Sequence, residues 1–372
     1  MTERSQAKPA TGSRAAQRLR AIADRVRART NPTPRSFKTI NLALQGGGAH
    51  GGFTWGVLDA LLEDERLDFE AISGTSAGAM NAVVLADGLM RNGTEGARDR
   101  LAVFWRRVSQ EGSSTGAAAQ IVKSMLGFWH MQGFSPFGVV EQFANFLSSP
   151  YRTNPLNINP LRDLIDHLID FDNVRANDGL KLFISATNVR TGKIKIFSGA
   201  EVTSDAVMAS ACLPYLFRAV EIGEEAYWDG GYTGNPALFP FFEETETADI
   251  LVVQVNPVRR EELPKSPQAI TERASEITFN SSLLRELRAI DFVNRLIEEG
   301  RLDPERYRQN RVHRIDATAA LAHYAAASKL DTSWHFFQEL HAAGRAAGTA
   351  WLAAHYDDLG VRGTVDLRAE FG

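Results

Sequence analysis

The amino-acid sequence predicts an α/β fold in three layers, α/β/α, around a mainly parallel central sheet, followed by a mostly helical C-terminal extension. Three observations carry this. A strand, a glycine-rich loop and a helix occur in that order twice between residues 39 and 89. Asp249 to Val255 is a continuous apolar run of the kind buried on both faces of a sheet. Beyond Pro257 the chain is charged and helical in its periodicity.

Taken in order, the elements begin with an arm, residues 1–37. Its Arg14, Arg18, Arg20, Arg25, Arg27 and Arg29 interleave with Ala15, Leu19, Ile22, Ala23 and Val26 at helical spacing. Such a basic amphipathic helix can lie on an anionic membrane surface, or remain a solvated tail or docking helix. Pro32 and Pro34 separate the arm from the strand Thr39 to Leu44, where the folded domain begins. The loop Gly46 to Gly51 leads into a helix from about Phe53 to Glu63. A short strand, Glu70 to Ser73, then feeds a second glycine turn and a helix from Ala79 to Leu89. This alternation puts both glycine loops at the carboxyl ends of neighbouring strands, where open α/β sheets bind ligands.

Residues 111–160 are irregular and apolar, with Phe128, Trp129, Phe134, Phe137, Phe143 and Phe146 among them. They read as an inserted cap, able to lid an acyl-chain pocket or simply to pack. Leu180 to Asn188 and Lys193 to Phe197, joined by Arg190-Thr191-Gly192, predict a β-hairpin. A helix near Ser204 to Ser210 precedes the apolar strand at 249–255. We therefore expect a catalytic domain over 38–257 and an extension over 258–372. The extension holds a strand at Arg311 to Ile315 and alanine-rich helices through Ala353.

Composition removes several function classes. The 372 residues are 44% hydrophobic and 23% charged, enough apolar content for a sizeable core. The formal net charge of -4 supplies no global field for nucleic acid. The single cysteine, Cys212, allows no internal disulfide, and no HExxH or comparable cluster suggests a metal site, so the expectation is a protein without metal. No run approaches the roughly 20 apolar residues of a membrane-spanning helix, and the first thirty residues lack a secretory core, which points to the cytoplasm, with peripheral membrane contact through the arm or the cap.

The chemistry concentrates in three places. Gly74-Thr75-Ser76-Ala77-Gly78 lies between a strand and a helix, and its small residues permit a sharp turn that projects the serine hydroxyl. The following helix N-terminus favours a developing oxyanion by roughly 0.3–1 kcal/mol at an exposed site. Gly46-Gly47-Gly48-Ala49-His50-Gly51 offers backbone N–H groups at the adjacent strand end, as an oxyanion hole requires. Gly46, Gly48 and Gly51 also satisfy the dinucleotide fingerprint, but Asp68 and Glu70 precede Ala71 and Ile72 instead of following the second strand. Asp229-Gly230-Gly231 follows the strand-like Ala226-Tyr227-Trp228 and offers a carboxylate as base; alone it reads equally as a β-turn.

A glycine loop, GTSAG and DGG in this order resemble the patatin-like phospholipases, over roughly Asn41 to Pro257 and including Ala209-Ser210-Ala211-Cys212-Leu213-Pro214. The resemblance implies a lipid acyl hydrolase in which Ser76 is the nucleophile and Asp229 its base. It also implies that Gly46, Gly47, Gly48, Ala49 and Gly51 form the oxyanion hole, and that no cofactor is needed. Gly74, Gly78, Gly230 and Gly231 support these motifs. Many members carry arginine or lysine where His50 stands, so any role of that side chain becomes pH-dependent. Burial should raise the pKa of Asp229 enough for it to act as a base at neutral pH. Two alternatives remain: a silent lipid-binding protein, and an α/β-hydrolase triad drawing on His313, His323, His335, His341 or His355. Head group, chain length and oligomeric state are not encoded in these motifs.

Overall fold

A computed structural model describes residues 37–113, 150–154, 157–214, 216–321 and 331–371. The basic arm, most of the apolar stretch 111–160 and His323 lie outside the described residues. The elements that position the site are β1 (Lys38–Leu44), α1 (Gly51–Asp64), β2 (Leu67–Gly74) and α2 (Ala77–Ser113). They are followed by α3 (Pro160–Leu168), β3 (Lys181–Asn188), β4 (Ile194–Ser198), α4 (Ser204–Ser210), β5 (Val220–Ile222) and β6 (Glu225–Asp229). The last are β7 (Asp249–Gln254), α5 (Pro267–Glu298), β8 (Arg311–Asp316) and α6 (Trp334–His355).

The strands form one sheet in the order β5-β6-β3-β2-β1-β7-β8, with β4 pairing β3 off this path. The pairs β8/β7, β7/β1, β1/β2 and β2/β3 are parallel, and β3/β4, β3/β6 and β5/β6 are antiparallel. Period-two alternation sends Ile40, Leu42 and Leu44 to one face, where they pack with Phe53, Leu58, Trp105 and Phe337 of α1, α2 and α6. Ala43, Ile250 and Val252 face the other way, toward Phe241 and toward Leu283, Leu287 and Ile290 of α5. Both faces are covered, which is why β7 is buried at every position and apolar from Ile250 to Val253.

The helix expected over Ala79 to Leu89 ends at a break where Asn92 and Gly93 leave helical geometry, and a second helical stretch continues α2 from there to Ser113. Residues 258–372 do more than extend the domain: β8 continues the sheet and α6 packs on its helical layer, within one compact unit spanning Lys38–Gly372. The hairpin at 181–198 is present, its turn held by Asn188 Oδ1 accepting from the Arg190 and Thr191 amides. Among the described residues no helix is long and apolar enough to cross a membrane.

Candidate active site

Strand pairing explains how a residue at 76 meets one at 229. Phe183 and Ile184 pair with both β2 and β4, so those strands lie on opposite sides of β3. Ala186 and Thr187 pair with both β4 and β6, so β6 lies on the same side as β2. Strand β2 stops at Gly74, opposite Ile184, and the antiparallel β6 stops at Asp229, opposite Ala186. The two strands therefore point at each other along one edge of β3, their ends two residues apart, roughly 7 Å.

At the end of β2 the chain turns into α2 through Ser76, whose φ of +54° is left-handed and unusual for a residue with a side chain. This is the strained elbow expected of GTSAG. Its glycines are steric requirements: a Cβ on Gly78 would overlap the Leu44 carbonyl oxygen, and one on Gly46 would stand 2.8 Å from Thr75 O and 2.9 Å from Ser76 Cβ. The Ser76 carbonyl accepts from Met80 N–H at 3.1 Å, opening α2. Ser76 is 9% exposed and Asp229 fully buried.

Asp229 Oδ1 accepts from Gly231 N–H at 2.7 Å. Its Oδ2 has no hydrogen-bond partner of ordinary geometry, and the neighbouring hydroxyl acting on the carboxyl is that of Ser76. Burial dominates: it pushes the Asp229 pKa up to about 7, against the opposing pull of the Gly231 amide and Ser76. Gly230 lets the turn press on β3, since a Cβ there would overlap the Ser185 carbonyl oxygen.

The glycine loop follows β1 as expected, but its amides are not all available. Gly46 N–H donates to Asn235 Oδ1 at 2.7 Å, and Gly51 N–H closes the short 3-10 turn Gly48–His50 by donating to Gly48 and Ala49 carbonyls. His50, itself buried, donates its N–H to Gly47 O at 3.2 Å. Of the donor set expected from Gly46 to Gly51, the Asn235 side chain thus engages the amide at one end and local turn closure engages the amide at the other. Gly47, Gly48 and Ala49 remain between them.

Several further polar groups brace the site. Ser210 Oγ accepts from Ser76 N–H at 2.9 Å, and Cys212 O accepts from Asp229 N–H at 2.7 Å. Thr75 and Ser73 hydroxyls donate to Gly234 O at 2.7 Å and Ala237 O at 2.6 Å. Gln45 Oε1 accepts from the Val255 and Asn256 amides, and Asn256 Nδ2 donates to Gly46 O at 2.8 Å. For Gln45, Gln254 and Asn256 the signal in the sequence is a polar residue at the end of an apolar strand.

Among the described residues, the histidines of the triad alternative are engaged elsewhere. His313 pairs with Asp249 at 3.0 Å, His341 with Asp59 at 3.0 Å, His335 with Glu339 at 3.3 Å and His355 with Asp358 at 3.0 Å. Among the described residues no group of three or more His, Cys, Asp or Glu could hold a metal ion.

A family model described as patatin-like phospholipase matches residues 42–242, more than half of the 372 residues. Similar solved structures include VipD from Legionella pneumophila, at 15% identity and a TM-score of 0.41, covering 86% of this chain and 67% of that one. The heterodimeric ExoU–SpcU complex from the type III secretion system of Pseudomonas aeruginosa matches at 15% identity and a TM-score of 0.28, covering 89% of this chain and 73% of that one. No curated protein matches the sequence significantly.

Proposed function

The chain belongs to the patatin-like phospholipase family and is a lipid acyl hydrolase; from that premise we propose that it works through a two-residue unit, Ser76 as nucleophile and Asp229 as general base, without a metal or organic cofactor. The observation that carries this reading is a strained serine whose hydroxyl acts on a fully buried carboxyl, that of Asp229, which burial lifts to about 7. A base poised at the operating pH combines correct protonation with useful basicity. An exposed aspartate, near 3.9, would be too weak.

In this mechanism Ser76 Oγ attacks the ester carbonyl carbon while its proton passes to Asp229 Oδ2. The carbonyl oxygen becomes an oxyanion facing the amides of Gly47, Gly48 and Ala49 and the N-terminus of α2. Loss of one such donor costs roughly 3–4 kcal/mol in known oxyanion holes. The tetrahedral species collapses, the ester C–O bond breaks, and the leaving alcohol takes the proton from Asp229. Water then attacks the acyl-serine, giving its proton to Asp229. Collapse of the second tetrahedral species returns that proton to Ser76 and releases the fatty acid. In this reading residues 38–257 carry the reacting groups, and 258–372 complete the sheet and back the segment that follows Asp229.

The test is hydrolysis of a short-chain chromogenic ester and of phospholipid vesicles by wild type, Ser76→Ala and Asp229→Asn, each confirmed folded. Loss of activity in both variants supports the pair, and full activity in either overturns it. Labelling of wild type by a serine-directed phosphonate, absent in Ser76→Ala, separates an active hydrolase from a silent lipid binder, which stays unlabelled.

A further inference from the structure

We infer that Asn256 is a positioning residue that aims the Gly47 amide of the oxyanion loop; this rests on the Ser76–Asp229 reading above. The peptide between Gly46 and Gly47 carries two groups, the Gly46 carbonyl and the Gly47 N–H. In a trans peptide they point in opposite directions within one plane. Asn256 Nδ2 donates to Gly46 O at 2.8 Å, so that carbonyl is drawn toward the end of β7 and the Gly47 N–H is turned away from it.

The loop is also packed closely against the end of β7. A Cβ on Gly47 would stand 2.6 Å from Val255 Cγ2 and 3.8 Å from Asn256 Nδ2, so the β7 side of this residue is filled. The preceding peptide is clamped as well, because Gly46 N–H donates to Asn235 Oδ1 at 2.7 Å. Asn256 is itself held: its N–H donates to Gln45 Oε1 at 2.8 Å, and its carbonyl accepts from Gln254 Nε2 at 2.9 Å. Gln45 Nε2 in turn donates to Asn280 Oδ1 of α5 at 2.8 Å. A buried, mutually bonded set of amide side chains thus fixes one peptide plane beside Ser76. A carbonyl that accepts a hydrogen bond also polarises its peptide, which strengthens the Gly47 N–H as a donor.

The chemistry needs this fixation because an oxyanion donor acts only if it already points where charge develops. Asn256 touches neither substrate nor reacting atoms, and its effect passes through the Gly47 peptide. Replacing it should therefore lower the rate of the chemical step without weakening substrate binding.

The experiment compares wild type, Asn256→Leu and Asn256→Ser by kcat and KM on a short-chain chromogenic ester, by the rate of labelling with a fluorescent phosphonate, and by thermal unfolding. For Asn256→Leu, which keeps bulk but loses the donor, we expect kcat to fall on the order of 10- to 100-fold with KM within about twofold. Labelling should slow in parallel and the acid limb of the pH profile should stay in place. Asn256→Ser leaves room for water to reach Gly46 O and should fall between the two; it carries the test if the leucine variant does not accumulate folded. A folded variant with kcat within about twofold of wild type overturns the inference. So does a loss that appears as raised KM or tracks lowered thermal stability. Wild type that fails to label, or that labels equally in Ser76→Ala, removes the underlying reading instead.

Discussion

The backbone amide of Ser76 donates to the hydroxyl of Ser210 at 2.9 Å, with both residues buried. Ser210 ends α4, and two residues later the Cys212 carbonyl receives the Asp229 amide. One short segment thus braces both halves of the proposed unit. Ser210→Ala leaves a buried N–H without its acceptor, and stability should fall by about 1–3 kcal/mol with a lowered kcat. Chemical denaturation and initial rates measure both; a variant as stable and active as wild type would mean the contact is dispensable.

The left-handed φ of Ser76 is strain stored at the proposed nucleophile. Alanine retains the Cβ that causes it and glycine does not. Ser76→Gly should therefore be more stable than Ser76→Ala by about 1 kcal/mol, although neither hydrolyses esters. Equal melting temperatures would show that the elbow is relaxed.

Burial lifts Asp229 from its ordinary 3.8 to about 7, so the folded protein holds a proton between those pH values that the unfolded chain has released. Stability from this group is accordingly greatest below about pH 4 and declines as pH rises toward 7. Asp229→Asn removes the penalty. It should be more stable than wild type at pH 8, by a few kcal/mol at most, and little different near pH 4. Activity runs oppositely, rising with pH through about 7 as the base ionises. Thermal melts at both pH values and a pH–rate profile decide the matter, and a profile flat across this range would contradict the role given to Asp229.

Glu286 offers an internal control for that profile. Burial raises its pKa to about 7 as well, opposed by the Leu238 and Phe239 amides that it accepts at 2.6 and 2.8 Å. It supports the turn following Asn235 but does not face the reaction. In Glu286→Gln the acid limb should stay where it is. A limb that vanished would reassign the titration from Asp229 to Glu286.

Helices α1 and α6 meet backbone to backbone. A Cβ on Gly56 would overlap the His341 carbonyl oxygen, and one on Gly344 would overlap that of Phe53. Gly56→Ala must push the helices apart, and we expect a loss of about 1–3 kcal/mol with activity per folded molecule largely kept. Urea unfolding beside specific activity would reveal it, and an unchanged midpoint would show that the helices separate freely.

The legible parts of the fold were those whose signals are short. The strands at 38–44, 181–188 and 249–254 and the helix Ser204–Ser210 follow from apolar runs, periodicity and caps within each element. The helical stretch between the break at Asn92-Gly93 and Ser113 was passed over, although Leu101, Phe104, Trp105 and Val108 bury one face at helical spacing. The part that 258–372 takes in the sheet was not legible, since Arg311 to Asp316 reads as a strand without naming its neighbour.

By itself the sequence determined the order of the elements, the elbow at Ser76 and the candidate carboxylate at Asp229, because glycine spacing and side-chain period act over a few residues. Only the tertiary structure decided that β2 and β6 meet end to end along β3, which loop amides are already engaged, and how far the Asp229 pKa rises. Those properties belong to groups far apart in the chain, and to the exclusion of water between them, which no local pattern of residues specifies.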